Sequence, residues 1–240
     1  MTLSQTIHRL MINQGRERKL WPIKKGDLLH VSDLFSMCFR QLILQQQENI
    51  VSQDIIIRPQ LRLKWTQALA IERYVLQILS KGGILHGLPD GSQEELKDSD
   101  LGIVGHIDGR LGNGMVLEIK AYDSRVFVMC KNKPQPKNRF QVESYLMLDG
   151  SAKAVLLYVE RGDLAFPFAE HIISRNKQTE EIIRQSVSMY REAEAGGPLP
   201  HRICNSQSDA RAVICPVAAQ CFALSNEKVT KPIGQLLEYR

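Results

Sequence analysis

The chain has 240 residues, of which 43% are hydrophobic and 24% are charged, so it is long enough for one full core with a small appended lobe. The formal net charge of +5 suits a polyanionic partner and equally suits solubility alone. The longest apolar runs are strand-like pieces such as "AVLLYV", and the first residues lack the apolar centre of a signal peptide. These features exclude a membrane protein and predict an intracellular, cytoplasmic one.

The first half of the chain predicts two helices and then a hairpin. A helix begins at Ser32, which can cap it, and continues with apolar residues at helical spacing through Ile43. A longer helix is predicted from about residue 62 to residue 79, where "KGG" ends it. The apolar period then changes to two, and "LGIVGHIDGRL" and "MVLEIKAY" are predicted as paired strands around a turn at residues 112 to 114.

The second half predicts a helix, two strands and a last helix. The helix is "NRFQVESYLML", the strands are "AVLLYVER" and "FAEHIIS", and the last helix spans about residues 177 to 195. A Gly-Pro stop then introduces a cysteine-rich tail. This order of elements predicts an α/β or α+β core.

The predicted hairpin brings two carboxylates and an ammonium together. If the turn has three residues, Asp108 lies directly opposite Glu118, and Lys120 follows on the same face of the strand. Facing carboxylates repel each other unless one takes a proton or a cation joins them. Hard oxygen ligands suit Mg²⁺ or Mn²⁺, and Lys120 could then help an attacking water or stabilise phosphate charge. A turn with one residue more would leave an ordinary hairpin with solvated charges.

Three further polar residues lie on the predicted helices. Glu72 has mostly apolar neighbours on its helix, so it either reaches a metal in the same site or meets water at the edge of the apolar stripe. Gln141 and Tyr145 are four residues apart and share one helix face. That pair is either part of a plain amphipathic helix or an element that positions a substrate.

The five cysteines follow a one-plus-three pattern with one left over. Cys38 lies upstream of the hairpin, Cys204, Cys215 and Cys221 lie in the tail, and Cys130 has no place in the pattern. An odd number of cysteines without an export signal makes a disulfide framework improbable. Four thiolates can close a site around zinc or an iron–sulfur cluster, or the cysteines can be separately buried.

The order of these motifs resembles the PD-(D/E)XK nuclease superfamily, and within it the RecB-like branch. An acidic residue on a helix is followed by G-x-x-D-G, by E-I-K and by Q-x-x-x-Y. The resemblance implies a restriction-endonuclease-like core, a central mixed sheet flanked by helices, and hydrolysis of DNA phosphodiesters with Mg²⁺ or Mn²⁺. It assigns metal ligation to Glu72, Asp108, Glu118 and the backbone carbonyl of Ile119, and catalysis to Asp108, Glu118, Lys120, Gln141 and Tyr145. Many RecB-like members have a His where this chain has Glu72.

The cysteine pattern resembles the iron–sulfur nucleases, which include the CRISPR-associated RecB-like exonucleases, their phage-encoded relatives and the AddB-type nuclease domain. The resemblance implies a 4Fe-4S cluster, held by Cys38, Cys204, Cys215 and Cys221, that joins the N- and C-terminal segments. We therefore expect a single nuclease domain over residues 1–240, in which residues 30–60 and 196–225 form an iron–sulfur subdomain. The same likeness implies single-stranded or duplex DNA ends as substrate, 5′ to 3′ polarity, and partners from CRISPR adaptation or recombination in a prokaryote or a phage-infected host.

Basic residues beside these motifs are candidate DNA contacts. They are Arg40 in "CFRQ" and the residues Lys131, Lys133, Lys137 and Arg139 that precede the Q-x-x-x-Y helix. A charge run of this kind is otherwise a solvated loop. The alternative function is a DNA-binding or adaptor module with a zinc or iron–sulfur staple that acts through a partner without catalysis. The joint presence of Asp108, Glu118 and Lys120 favours the nuclease.

Overall fold

The computed structural model describes residues 2–16, 24–48, 59–86, 93–162, 167–224, 229–237 and 239. The chain divides into two compact units. Unit 1 comprises Met1–Asp27, Met37–Trp65 and Ser186–Pro232, and unit 2 comprises Leu28–Ser36, Thr66–Gln185 and Ile233–Arg240. The expected iron–sulfur subdomain lies partly outside the described residues, because 49–58 and 225 are not among them.

The described residues form helices and strands that alternate along the chain. The helices are α1 (Leu3–Arg16), α2 (Val31–Leu34), α3 (Phe39–Gln47), α4 (Pro59–Lys81), α5 (Ser124–Cys130), α6 (Pro136–Asp149), α7 (Lys177–Glu194), α8 (Ala210–Val213), α9 (Ala218–Ala223) and α10 (Ile233–Leu236). The strands are β1 (Leu29–His30), β2 (Leu85–His86), β3 (Glu94–Asp98), β4 (Ile103–Ile107), β5 (Gly109–Leu111), β6 (Val116–Tyr122), β7 (Lys153–Glu160) and β8 (Phe168–Ser174). None of the helices in these ranges is long and apolar enough to cross a bilayer.

The long predicted helices and the later predicted strands are confirmed, while the first predicted helix is interrupted and the first predicted strand of the hairpin is divided into β4 and β5. α2 ends at Leu34 and α3 begins at Phe39, because Cys38 adopts an extended backbone conformation with φ −102° and ψ 98°. His30, and not Ser32, caps α2: its ring accepts a hydrogen bond from the backbone N–H of Ser32. The short helix α5 and the strand β3 had no clear periodic signal in the sequence.

Unit 2 contains two sheets, and the chain passes directly from the smaller sheet into the larger one between β4 and β5. The larger sheet has the strand order β2-β5-β6-β7-β8, with β6 and β7 parallel and the other neighbours antiparallel. The smaller sheet has the order β1-β4-β3. β4 and β5 therefore belong to different sheets, and Asp108 is the single residue between them. The predicted hairpin register is confirmed, since Gly109 pairs with Leu117 and Arg110 with Val116.

Apolar packing between α4 and the larger sheet fixes which face of β6 is polar. Val75 and Leu76 of α4 belong to a buried cluster with Leu117 and Ile119 of β6 and with Val155 and Val159 of β7. Side chains alternate between the two faces of a strand. Glu118, Lys120 and Tyr122 therefore lie on the opposite face of β6, where Asn138 of α6 donates a hydrogen bond to the hydroxyl of Tyr122.

Two glycines of the "GHIDG" motif allow close packing around Asp108. A Cβ atom at Gly105 would lie 2.6 Å from Cε1 of Tyr145. A Cβ atom at Gly109 would lie 2.8 Å from Cδ1 of Leu85. Larger side chains at these positions would push α6 and β2 away from the strands that carry the carboxylates, so the glycines serve the site through packing.

Unit 1 is mostly helical. α3 lies against α9, and the ring of Phe39 packs 5.3 Å from the ring of Tyr190. Gln46 donates a hydrogen bond to the hydroxyl of Tyr190 over 2.9 Å, and Arg40 donates one to the carbonyl of Pro200 over 3.1 Å. These contacts hold α3 to the end of α7 and to the segment that follows it. Cys38, Cys204, Cys215 and Cys221 all belong to this unit.

Candidate active site

Asp108 occupies the junction between the two sheets of unit 2. Its side chain is 7% exposed. Oδ2 accepts a hydrogen bond from the backbone N–H of Ile119 over 2.7 Å, and Oδ1 accepts one from Nε2 of Gln93 over 2.7 Å. The strand pairs Gly109–Leu117 and Arg110–Val116 continue to Asp108 and Glu118, and the charge of Asp108 raises the pKa of Glu118. The two carboxyl groups therefore lie near each other, as the hairpin register predicted.

Glu118 and Lys120 form an ion pair beside Asp108. The Lys120 ammonium contacts Oε1 of Glu118, and their side chains are 28% and 1% exposed. The other carboxylate oxygen of Glu118, Oε2, is buried and has no hydrogen-bond partner among the residues that the structure describes. Buried carboxylate oxygens are normally satisfied, because an unpaired one costs free energy. An unsatisfied oxygen here marks a position where a cation or a donor from a substrate would be stabilised.

The electrostatics of the site favour protonated carboxyls when no cation is bound. Burial and then the charge of Asp108 raise the pKa of Glu118 to about 8. Burial likewise raises the pKa of Asp108, although the charge of Lys120 and the hydrogen bond from Ile119 oppose the change. Burial alone would lower the pKa of Lys120, but the charges of Glu118 and Asp108 outweigh it and raise that pKa. Lys120 therefore stays protonated.

Glu72 on α4 belongs to the same electrostatic cluster. Burial and then the charge of Asp108 raise its pKa to about 7, while the charges of Lys120 and Arg73 oppose the change. Its partial burial places it at the edge of the apolar stripe of α4. The influence of Asp108 and Lys120 shows that this edge faces the candidate site and not bulk water alone.

Gln141 and Tyr145 approach the carboxylates from α6. Nε2 of Gln141 donates a hydrogen bond to the hydroxyl of Tyr145 over 2.6 Å, and both side chains are buried. Burial raises the pKa of Tyr145, and the charges of Glu118 and Asp108 raise it further. The pair is therefore close to the carboxylates and remains neutral, so it can donate or accept hydrogen bonds there.

The donor set of this cluster suits a hard divalent cation. Glu72, Asp108 and Glu118 supply carboxylate oxygens in a shielded place, and Oε2 of Glu118 lacks a partner. Among the described ranges, no three His, Cys, Asp or Glu side chains already converge on one point suited to a metal ion. The oxygens of Asp108 are held by Gln93 and Ile119, so binding of a cation requires these carboxyl groups to turn.

The four cysteines of the one-plus-three pattern interact electrostatically within unit 1. Burial raises the pKa of Cys38, and the charges of Cys215 and Cys221 raise it further. Burial raises the pKa of Cys204 to about 11, with contributions from Asp209, Cys38 and Cys215. Cys38 therefore lies near Cys204, Cys215 and Cys221, although the four thiols do not converge on a common point in the part of the chain that is described.

The predicted DNA contacts have different environments. Arg40 is 1% exposed and donates a hydrogen bond to the carbonyl of Pro200. This burial disfavours the predicted contact of Arg40 with DNA. Arg139 pairs with Glu143 and lies 4.8 Å from the centre of the Tyr239 ring. The remaining basic residues of the run, Lys131, Lys133 and Lys137, are exposed, and Lys133 donates a hydrogen bond to the carbonyl of Tyr239.

Sequence reasoning missed two contacts of the site. Gln93 holds Asp108, but it precedes β3 without any motif or spacing that would single it out. Tyr122 and Asn138 are hydrogen-bonded to each other over 2.9 Å. Their spacing offered a signal: Tyr122 is two residues after Lys120 on the same strand face, and Asn138 is three residues before Gln141 on α6.

Comparison of the fold with solved structures identifies the class of architecture. An alkaline exonuclease from Laribacter hongkongensis superposes with a TM-score of 0.53 over 72% of this chain and 89% of that chain, at 15% sequence identity. A structure of the same exonuclease in complex with dAMP gives a TM-score of 0.52 with the same identity and coverage. A phage-related exonuclease from Haemophilus somnus 129PT superposes with a TM-score of 0.44 at 11% identity, over 76% of this chain and 97% of that chain.

The fold is a nuclease-like mixed α/β architecture, and the predicted mixed α/β core is confirmed. At 15% identity the likeness to the alkaline exonuclease concerns the fold alone. No family model and no curated protein matches the sequence. The chemistry of this chain must therefore be argued from its own residues.

Proposed function

We propose that the protein is a metal-dependent DNA exonuclease that hydrolyses phosphodiester bonds. The observation that carries the proposal is the buried Oε2 of Glu118, which has no hydrogen-bond partner within the described ranges and lies beside Asp108 and the Lys120 ion pair. Two acidic side chains that face each other in a buried position lower the stability of the folded protein. A purely structural role therefore does not explain them. The nuclease-like fold supports the same conclusion, because it surrounds these residues in unit 2.

Mg²⁺ or Mn²⁺ would be held by Glu72, Asp108, Glu118 and the backbone carbonyl of Ile119. When bound, such an ion lowers the pKa of water and offsets the negative charge of a phosphodiester. The chain contributes the position of the ligands: Gln93 and the N–H of Ile119 orient Asp108, and Lys120 orients Glu118. Contacts that orient ligands in this way typically affect metal affinity by about 10- to 100-fold.

Lys120 supplies a fixed positive charge. Its raised pKa keeps the side chain as an ammonium group, which favours charge stabilisation over a role as a general base. The 28% exposure of its side chain leaves it accessible from solvent. Gln141 and Tyr145, which are hydrogen-bonded to each other, would orient the phosphate or the attacking water from α6.

The proposed substrate is DNA with single-stranded or frayed ends, degraded in the 5′ to 3′ direction. The RecB-like order of motifs supports this assignment, and the exposed residues Lys131, Lys133 and Lys137 with Arg139 offer a basic path next to α6. Arg40 is not included in that path because it is buried. Proteins of CRISPR adaptation or recombination are the proposed partners.

A 4Fe-4S cluster bound by Cys38, Cys204, Cys215 and Cys221 is the proposed structural cofactor. The raised pKa values of Cys38, Cys204 and Cys215, to which neighbouring cysteines contribute, support it, since neighbouring thiols become thiolates readily only when a metal is bound. The cluster would link α3 and α9 within unit 1. It would stabilise segments that contribute little to the apolar core.

A cleavage assay on purified protein tests the proposed activity. Protein purified under anaerobic conditions is incubated with Mg²⁺, Mn²⁺ or EDTA and with single-stranded and duplex DNA labelled at the 5′ or the 3′ end. We expect metal-dependent release of short products from an end, with the labelled end setting the polarity. Tight DNA binding without cleavage in any metal would instead support the adaptor function.

Metal affinity should increase with pH. The carboxyls of Glu72 and Glu118 have pKa values of about 7 and about 8, and each must lose its proton before it binds a cation. We expect Mg²⁺ or Mn²⁺ affinity to rise by about tenfold or more per pH unit between pH 6 and 7, and to level off above pH ~8. Calorimetry in two buffers of different ionisation enthalpy measures the released protons. Glu118→Gln should release fewer protons, and affinity that is constant over this pH range would contradict the assignment.

A further inference from the structure

Tyr122 extends the polar stripe of β6 beyond the candidate site. Glu118, Lys120 and Tyr122 alternate along the strand and share one face. Glu118 is 1% exposed, whereas the Lys120 side chain is 28% exposed and Tyr122 is partly exposed. The stripe therefore leads from the buried carboxylates to partly exposed positions, and of these Tyr122 is the one farther from Glu118.

The ring of Tyr122 is held in a fixed orientation by α6. Its hydroxyl accepts a hydrogen bond from Nδ2 of Asn138 over 2.9 Å and donates one to Oε1 of Gln135 over 3.2 Å. Asn138 also donates to the hydroxyl of Tyr158, and the two tyrosine rings lie 5.8 Å apart. The hydroxyl therefore makes its hydrogen bonds within the protein, and the ring is the group that a ligand can contact.

The chemistry of this position suits a nucleobase. A partly exposed aromatic ring, fixed in advance, loses little conformational entropy when a flat partner stacks on it. It lies about 7 Å along the strand from Lys120, the residue proposed to meet the phosphate. Basic residues that would meet neighbouring phosphates, Lys133 and Lys137, are exposed and lie within two residues of Gln135 in the sequence.

We propose that the ring of Tyr122 is the stacking surface for the nucleobase next to the scissile phosphate. This inference rests on the proposed nuclease function and names a residue that would give it the proposed substrate preference. A base can stack on a side chain only after it has left its neighbours in the duplex, so the contact selects single-stranded or frayed DNA.

Binding measurements without divalent metal test the stacking contact directly. The probes are single-stranded oligonucleotides, either intact or with abasic sites at the three terminal positions of the 5′ or the 3′ end, and affinity is measured in EDTA by fluorescence anisotropy. Loss of a stacked base costs about tenfold in affinity. We expect Tyr122→Ala to weaken binding of intact DNA by about this factor and to leave binding of one of the abasic oligonucleotides unchanged.

Two variants separate stacking from a structural role. Tyr122→Phe keeps the ring and should bind intact DNA within about twofold of the wild type, since only the internal hydrogen bonds are lost. Tyr74→Ala removes a tyrosine that is 64% exposed on α4 and should change nothing. Equal loss of affinity for intact and abasic DNA, or a Tyr122→Phe variant as weak as Tyr122→Ala, would overturn the proposal.

The wild-type protein alone provides a second measurement. 2-Aminopurine placed near the end of the oligonucleotide should lose fluorescence on binding, because an aromatic ring stacks on it, and Tyr122→Ala should restore the signal. An unchanged signal in the wild type at every terminal position would contradict the stacking contact. Repeating the assay with Mg²⁺ or Mn²⁺ separates the two proposals. Cleavage without base-dependent binding refutes only the stacking contact, whereas base-dependent binding without cleavage refutes only the nuclease.

Discussion

Asp108→Ala should abolish both DNA cleavage and the stabilisation of the protein by Mg²⁺ or Mn²⁺. The substitution removes one of the two facing carboxylates. The site then loses a metal ligand and the repulsion between the two acids that a cation would relieve. A ligand that binds only the folded state raises thermal stability by mass action, and this increase should disappear in the variant. Thermal unfolding with and without metal at pH 8, together with a cleavage assay, measures both effects.

Lys120→Ala should separate metal binding from chemistry. The carboxylate pair remains, so metal should still raise the unfolding temperature, while turnover should fall by about a hundredfold or more through loss of the ammonium. Lys153→Ala, at an exposed position on β7, is the matched control for loss of a lysine and should behave as the wild type. An Asp108→Ala protein that cuts DNA at the wild-type rate would show that these residues form an ordinary hairpin.

Replacement of any one of Cys38, Cys204, Cys215 or Cys221 should remove the iron and the colour of anaerobically purified protein. The proposed cluster connects segments of unit 1 that are far apart in the sequence, so its loss should also loosen these segments and lower solubility. Iron analysis, the visible absorption spectrum and limited proteolysis measure these effects.

Cys130→Ala is the matched control for the cluster. Cys130 is buried in unit 2, at the end of α5, and its replacement should leave both iron content and colour unchanged. The control distinguishes loss of a cluster ligand from general damage caused by removing a buried thiol. A colourless wild-type protein with stoichiometric zinc after anaerobic purification would contradict the iron–sulfur assignment.

The hairpin shows how far the sequence could predict the site. The two-residue period and the glycine turn were sufficient for the register that brings Asp108 opposite Glu118, because strand geometry determines which side chains share a face. The sequence could not show that the first strand of this hairpin is divided between two sheets. That division depends on pairing with β1 and β3, which are distant in the chain or lack periodicity.

Gln93 and Tyr122 show the other limit. Both residues belong to the site through hydrogen bonds across the fold, and neither residue type is diagnostic of any chemistry by itself. Glu72 is an intermediate case: its apolar neighbours on α4 suggested a buried partner, and the partner became visible only once β4 and β5 were placed. Local patterns predict elements and faces, whereas contacts between distant elements require the assembled structure.

The parallel pairing of β6 with β7 determines when during synthesis the carboxylates become organised. β6 carries Glu118, and it pairs with β7 only after α5 and α6 have been made, because parallel strands need a crossover between them. A ribosome-bound chain that ends before Lys153 has Asp108, Glu118 and Lys120 but lacks the strand that holds β6 in the sheet. Such a chain has every residue of the carboxylate cluster but lacks the strand that orders them, so the proposed activity would appear only after translation has passed β7.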